Sequence, residues 1–162
     1  MSFLGDTPVI KIRYRLDGRE SFIYAKMEFL NPSGSVKDRI ARYIMDRAQE
    51  RGELKPGQPI VEVTSGNTGI AFSAIGARRG HPVHIFMPDW ASTERVQLMK
   101  MYGANVHLVS KEEKGFLGAL DQADALAKET GAYKINQFAN RDNAAAHYTG
   151  TALEIMKQLP GA

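Results

Sequence analysis

Apolar and polar positions divide the chain into short β-rich runs and longer amphipathic stretches. Val9-Ile10-Lys11-Ile12 and Phe22-Ile23-Tyr24-Ala25-Lys26-Met27 read as two strands joined by a turn at Asp17-Gly18. Over residues 35–51, Val36, Ile40, Tyr43, Ile44 and Ala48 recur on one helical face, and Gly52 marks the stop. Strands are expected at 60–63, 83–87, 106–109 and 133–135, separated by helices near 68–79, 92–102 and 115–129. A last helix is expected over about 143–158, closed by Pro160-Gly161. Strands alternating with helices of this length imply βαβ units, hence an α/β fold with a parallel four-stranded sheet and helices on both faces. The two N-terminal strands break the alternation and are assigned to a different sheet.

Composition narrows the class. The 162 residues suit one domain of ordinary size, and 43% hydrophobic with 24% charged residues describes a globular chain. Its 21 Lys and Arg are scattered among 18 acids, so no basic stripe points to nucleic acid. The absence of cysteine excludes disulfides, thiolate metal sites and thiol nucleophiles. No apolar run approaches a membrane span, and the N-terminal stretch lacks the basic and apolar regions of a signal peptide, so a cytoplasmic location is expected.

Two segments carry candidate chemistry. The first is Pro32-Ser33-Gly34-Ser35-Val36-Lys37-Asp38-Arg39. Ser35 reads as an N-cap and Asp38 as its capping-box partner, which makes Lys37 the second residue of a helix. A cation is disfavoured at the positive end of the macrodipole, and the neutral amine is the form that attacks carbonyls. By itself the octapeptide reads more readily as a surface lysine on a solvated helix face.

The second segment is Thr64-Ser65-Gly66-Asn67-Thr68-Gly69, between a strand and a helix. Such a turn at the carboxyl end of a parallel strand is where α/β proteins bind ligands, and the helix amides there hold a carboxylate or phosphate. Gly66 permits close approach, Thr64, Ser65 and Thr68 supply hydroxyls, and Asn67 both donates and accepts. The turn is neither a Walker A loop nor a dinucleotide fingerprint, and no G-x-S-x-G surrounds Ser65. His81, His84, His107 and His147 are widely spaced, and no metal site is expected.

Together these segments resemble the cysteine synthase (O-acetylserine sulfhydrylase) and cystathionine β-synthase family, pyridoxal-phosphate enzymes of fold type II. Gly5-Asp6-Thr7-Pro8, Met87-Pro88, Gln137-Phe138-Ala139-Asn140 and Ala146-His147-Tyr148 extend the likeness over essentially the whole chain. The resemblance implies that Lys37 forms the Schiff base with pyridoxal 5'-phosphate and moves the proton at the substrate α-carbon. It implies that Asn67 bonds the cofactor's 3′-oxygen. Thr64, Ser65, Gly66, Thr68 and Gln137 are implied to hold the α-carboxylate of an amino-acid substrate. The implied reaction is β-replacement, making cysteine from an activated serine and sulfide. The alternatives are cystathionine β-synthase or serine dehydratase chemistry, or a non-catalytic fragment.

Members of the family are about twice as long, and their second half holds the phosphate loop and the partner of the pyridine nitrogen. The chain is therefore expected to be the N-terminal half, with poor cofactor affinity by itself. Residues 1–34 are expected to belong to the larger domain, 35–142 to the substrate-binding α/β domain and 143–162 to the start of the C-terminal domain. A homodimer is also implied. Asp6 stands where Asn is usual, and Thr151-Ala152 where sulfhydrylases often have Gly-Pro.

Overall fold

The computed structural model describes residues 4–161, so the first three residues of the N-terminal stretch and Ala162 lie outside it. The chain opens with an antiparallel hairpin of β1 (Val9–Leu16) and β2 (Arg19–Lys26), which forms its own two-stranded sheet. Asp17 and Gly18 both take positive φ, 48° and 76°, as the tight turn pairing Leu16 with Arg19 requires. The ladder runs further than the apolar pattern predicts. With a two-residue loop the strands zip up to the turn, so Arg13, Arg15, Arg19 and Glu20 are carried into it. One face presents Ile10, Ile12, Tyr14, Leu16 and Ile23, all exposed. On the other, Lys11 Nζ lies 3.8 Å over the Phe22 ring.

A 3-10 turn at Glu28–Leu30 leads to α1 (Lys37–Glu50). Then follow β3 (Ile60–Val63), α2 (Asn67–Arg78), β4 (Val83–Pro88), α3 (Thr93–Met101), β5 (Asn105–Val109), α4 (Gly115–Thr130) and β6 (Tyr133–Lys134). The four strands form one parallel sheet in the order β5-β4-β3-β6. Alternate residues divide between two cores. Ile60, Ile85 and Met87 pack with Ile40, Ile44 and Met45 of α1 and Phe72 of α2, while Val61, Val63, Phe86 and Val109 pack with Ala119 and Ala123 of α4. Helices therefore cover both faces, as the continuous apolar runs of the strands require.

Two contacts fix the relative direction of α1 and α2. Arg79 Nη2 lies 2.5 Å from Asp46 Oδ1, and the Gln49 side chain meets the His81 ring at 3.1 Å. Both join the C-terminal end of α1 to the C-terminal end of α2. The helices thus run side by side in the same sense, and their N-termini, at Lys37 and Asn67, emerge at the same end of the domain.

The expected final helix is broken. It comprises α5 (Arg141–Ala146), a π-helical turn at His147–Thr151 and α6 (Ala152–Gln158). It also begins earlier than expected, because the Asn140 side chain accepts from Asp142 N at 3.0 Å and caps it. Within the turn, Thr149 Oγ1 donates to Ala145 O at 2.9 Å and the His147 ring meets Thr151 Oγ1 at 3.0 Å. Hydroxyls competing in this way for local partners carry no periodic signal.

Buried ions tie the hairpin, α1 and α6 together. The Arg39 guanidinium, 6% exposed, donates to Glu28 at 2.7 and 2.8 Å and to Glu154 at 2.7 Å through each of two nitrogens. Lys26 of β2 reaches Glu154 at 2.7 Å. Arg39 holds Glu154 down to about 2, with Lys26 adding to it. The Glu28 carboxyl is also lowered, by Arg39, Thr7 and Asn31 acting against its burial.

Candidate active site

The strand order places the site. From β3 the chain steps to β4 and β5 on one side, then returns to β6 on the other side of β3. The order reverses between β3 and β6, and the crevice outside the carboxyl ends of those strands is where open α/β sheets bind ligands. The turn after β3 is 64–69, and the segment after β6 carries Gln137. Thr68 Oγ1 donates to Gln137 Oε1 across that crevice at 2.7 Å, with both residues buried.

The start of α2 is open. Gly66 is its N-cap and supplies no side-chain bond to the helix. The amides of Ser65, Asn67 and Thr68 have no hydrogen-bond acceptor within the described residues, and the Ser65 and Asn67 side chains, both exposed, have no partner there either. Thr64 is buried, and its hydroxyl accepts from Gly66 N at 3.3 Å. Three outward amides with adjacent hydroxyls form an anion cradle at the positive end of a helix. The Gln137 side-chain nitrogen is also without a partner within the described residues, and so is available to a ligand.

The start of α1 differs from the capping-box expectation. Val36, with φ −58° and ψ −18°, is the cap, and Lys37 is the first helical residue rather than the second. Ser35 Oγ accepts from Lys37 N at 3.2 Å. Asp38 does not bond back to Ser35. It accepts from Ser33 N at 2.7 Å and from Ser33 Oγ, because Gly34 at φ 85° folds the loop over the helix start. Burial pushes the Asp38 carboxyl up, opposed by these two bonds. The clamp fixes the segment bearing Lys37, whose half-buried side chain has no hydrogen bond or ion pair among the described residues.

Among the described residues no hydrogen bond or ion pair joins Lys37 to the 64–69 turn; the shared end of α1 and α2 brings them to one edge. Its charge acts on His147 of the π turn, whose ring is held below the usual histidine range first by burial, then by Lys37 and Arg39, with Glu28 opposing.

Two features went unread in the sequence. Glu62, a buried acid in an otherwise apolar strand, accepts from Val63 N at 2.9 Å and Gln137 N at 3.2 Å, and its burial pushes its carboxyl up to about 7. Its charge among apolar neighbours was the available signal. Arg95 of α3 donates to Ser65 O at 3.1 Å, and nothing in the local pattern marks it. Met99, the one buried residue of α3, sits where a Gly69 Cβ would lie 2.8 Å from its Cε. Met101, two residues on, is largely exposed. His84 and His107, separated in sequence, meet across β4 and β5 at 3.2 Å. Trp90 packs on Gly115 at the start of α4, and Lys111 Nζ lies 5.6 Å from its ring centroid. Among the described residues no three His, Asp or Glu side chains converge as metal ligands, and no helix is long and apolar enough to cross a membrane.

The family model described as pyridoxal-phosphate dependent enzyme matches residues 1–162. The chain belongs to that family. It is 44% identical over 158 residues to cysteine synthase B of Salmonella typhimurium, covering 98% of this chain and 52% of that protein. The structure of a hydrogen sulfide-producing enzyme from Fusobacterium nucleatum superposes with a TM-score of 0.92 at 48% identity, covering 96% of this chain and 47% of that one. An O-acetylserine dependent cystathionine β-synthase from Helicobacter pylori superposes with a TM-score of 0.86 at 37% identity, over 97% of this chain and 52% of that one. The chain thus spans about half the length of each of these relatives. The parallel sheet with helices on both faces is the fold of these pyridoxal-phosphate enzymes.

The donor set fits the family's cofactor in chemical type. A partnerless amine suits its carbonyl, Asn67 suits its ring oxygen, and the cradle suits the carboxylate of an amino acid.

Proposed function

We propose that the chain is the substrate-binding half of an enzyme making cysteine by β-replacement, from an activated serine such as O-acetylserine and sulfide. The observation that carries this reading is the crevice itself. An open helix start at 64–68, joined to Gln137 by Thr68, shares one end of the domain with the free amine of Lys37.

In this reading Lys37 holds the cofactor and then moves the proton at the substrate α-carbon. The amides of Ser65, Asn67 and Thr68, the Thr64 and Ser65 hydroxyls and Gln137 hold the α-carboxylate, and Gly66 lets it approach the backbone. That clamp fixes the Cα–H bond relative to Lys37 and keeps water from the carboxylate. Asn67 orients the cofactor ring through its 3′-oxygen. Pyridoxal phosphate, when bound, supplies the electron sink that makes the α-proton removable.

The same reading assigns residues 1–34 to a larger domain, which the exposed apolar face of the hairpin supports, with 35–142 as the α/β domain and 143–162 beginning the C-terminal part. It also takes the protein to be a cytoplasmic homodimer. The Helicobacter pylori relative supports a second reading, in which homocysteine replaces sulfide.

Product analysis decides between them. Incubated with O-acetylserine and sulfide, the protein is expected to release cysteine, and Lys37→Ala is expected to lose this activity together with any visible cofactor absorption. Cystathionine formed from homocysteine in preference to cysteine from sulfide favours the second reading. Activity undiminished in Lys37→Ala refutes both.

A further inference from the structure

The mechanism above leaves Glu62 unused, although it is a buried acid lying directly beneath the crevice. Glu62 is 5% exposed and sits on β3, two residues before Thr64. Its two oxygens accept from different segments, one from its own strand and one from the segment after β6. Oε1 accepts from Val63 N at 2.9 Å, and Oε2 accepts from Gln137 N at 3.2 Å. Gln137 is thereby held at both ends, its backbone by Glu62 and its side chain by Thr68. Asn143 Nδ2 donates to Gln137 O at 3.0 Å and completes the bracket.

We infer that Glu62 is a proton-sensitive positioning residue: as a carboxylate it fixes Gln137 against the 64–68 turn, and on protonation it loosens that half of the carboxylate clamp. The inference rests on the reading of the crevice as an amino-acid site. A carboxylate accepts at both oxygens, whereas the neutral acid must place its proton on one of them and so weakens one amide bond. The charged side chain acting on Glu62 is Lys134 of β6, which lowers it and is itself ion-paired with Asp124 of α4. No salt bridge reaches Glu62 among the described residues, so burial governs it and its titration falls near neutrality. Glu62→Gln, with one acceptor oxygen, mimics the protonated state at every pH.

The test follows the ¹⁵N–¹H resonances of Val63 and Gln137 from pH 5.5 to 8.5, with L-serine then titrated into the protein at both ends of the range. In the wild type the two amides are expected to shift together with a midpoint near 7. L-serine affinity is expected to fall roughly five-fold from the alkaline to the acid end, as loss of one hydrogen bond implies. In Glu62→Gln both responses are expected to flatten at the weaker affinity. Amides of Val63 and Gln137 that do not titrate in the wild type overturn the role of Glu62, and that measurement needs no variant. A Glu62→Gln protein with wild-type affinity and pH profile overturns it also. If L-serine moves no resonance of the 64–69 turn at pH 8.5, the amino-acid reading fails and takes this use of Glu62 with it. The amide titration still reports separately whether Glu62 governs Gln137.

Discussion

Replacing Arg39 by Met tests how the helix bearing Lys37 is held. The substitution keeps much of the side-chain volume but leaves Glu28 and Glu154 facing each other in a buried site. Glu154 lies at about 2 instead of 4.5, which at full weight corresponds to about 3 kcal/mol. Its carboxylate keeps some contact with water and retains Lys26, so screening reduces this to about 2 kcal/mol. Glu28 adds to the cost, and removing one member of a buried ion cluster costs about 3–5 kcal/mol in general. A loss of about 3 kcal/mol at pH 7 is therefore expected. The sign of its pH dependence is fixed. A carboxyl lowered on folding stabilises fully above its unfolded value and loses that contribution as pH falls through its folded value. The gap between wild type and Arg39→Met should thus be full above pH 5.5 and shrink to less than half at pH 3. Urea unfolding followed by circular dichroism at pH 7, 5 and 3 measures it. A gap below 1 kcal/mol at pH 7, or one that does not narrow towards pH 3, refutes the reasoning.

The opposite sign is expected of Glu62, whose carboxyl is raised from 4.5 to about 7. Its share of stability, about 3 kcal/mol, is present below pH 4.5 and lost as pH rises through 7, and Glu62→Gln should abolish that slope in urea titrations at pH 5 and 8. Thr68→Val strips the buried Gln137 carboxamide of its partner and should cost about 1–2 kcal/mol by urea unfolding while weakening L-serine binding. Gly69→Ala drives a Cβ towards Met99 Cε at 2.8 Å and Thr64 Cγ2 at 2.9 Å, and should cost about 1–2 kcal/mol. Met99→Ala should recover part of that loss in a double-mutant cycle; strictly additive effects would place the strain elsewhere.

The periodic elements were legible in the sequence because their apolar spacing is a direct record of which face is covered. The strands at 60–63 and 83–87 and the helices around them follow it closely. What escaped was set by turn geometry and by specific side-chain bonds, neither of which leaves a hydrophobic period. The hairpin extends to Asp17-Gly18 because turn geometry, not hydrophobicity, fixes its register. The cap of α1 shifts to Val36 because Gly34 returns Ser33 to Asp38. The π turn at 147–151 depends on hydroxyl bonds that leave no period. At the site, the 64–69 turn and Lys37 stood out as local motifs. The strand reversal that places the crevice, the Thr68–Gln137 bond across it and the Glu62 bracket arise only when β6 pairs with β3.

The central claim is that Lys37 is the amine that holds the cofactor. Borohydride reduction of the protein loaded with pyridoxal phosphate, followed by peptide mapping, tests it most directly, because reduction makes the lysine linkage permanent. The label is predicted on the peptide containing Lys37 alone. A label on Lys100, Lys111, Lys134 or another lysine, with Lys37 unmodified, contradicts the account.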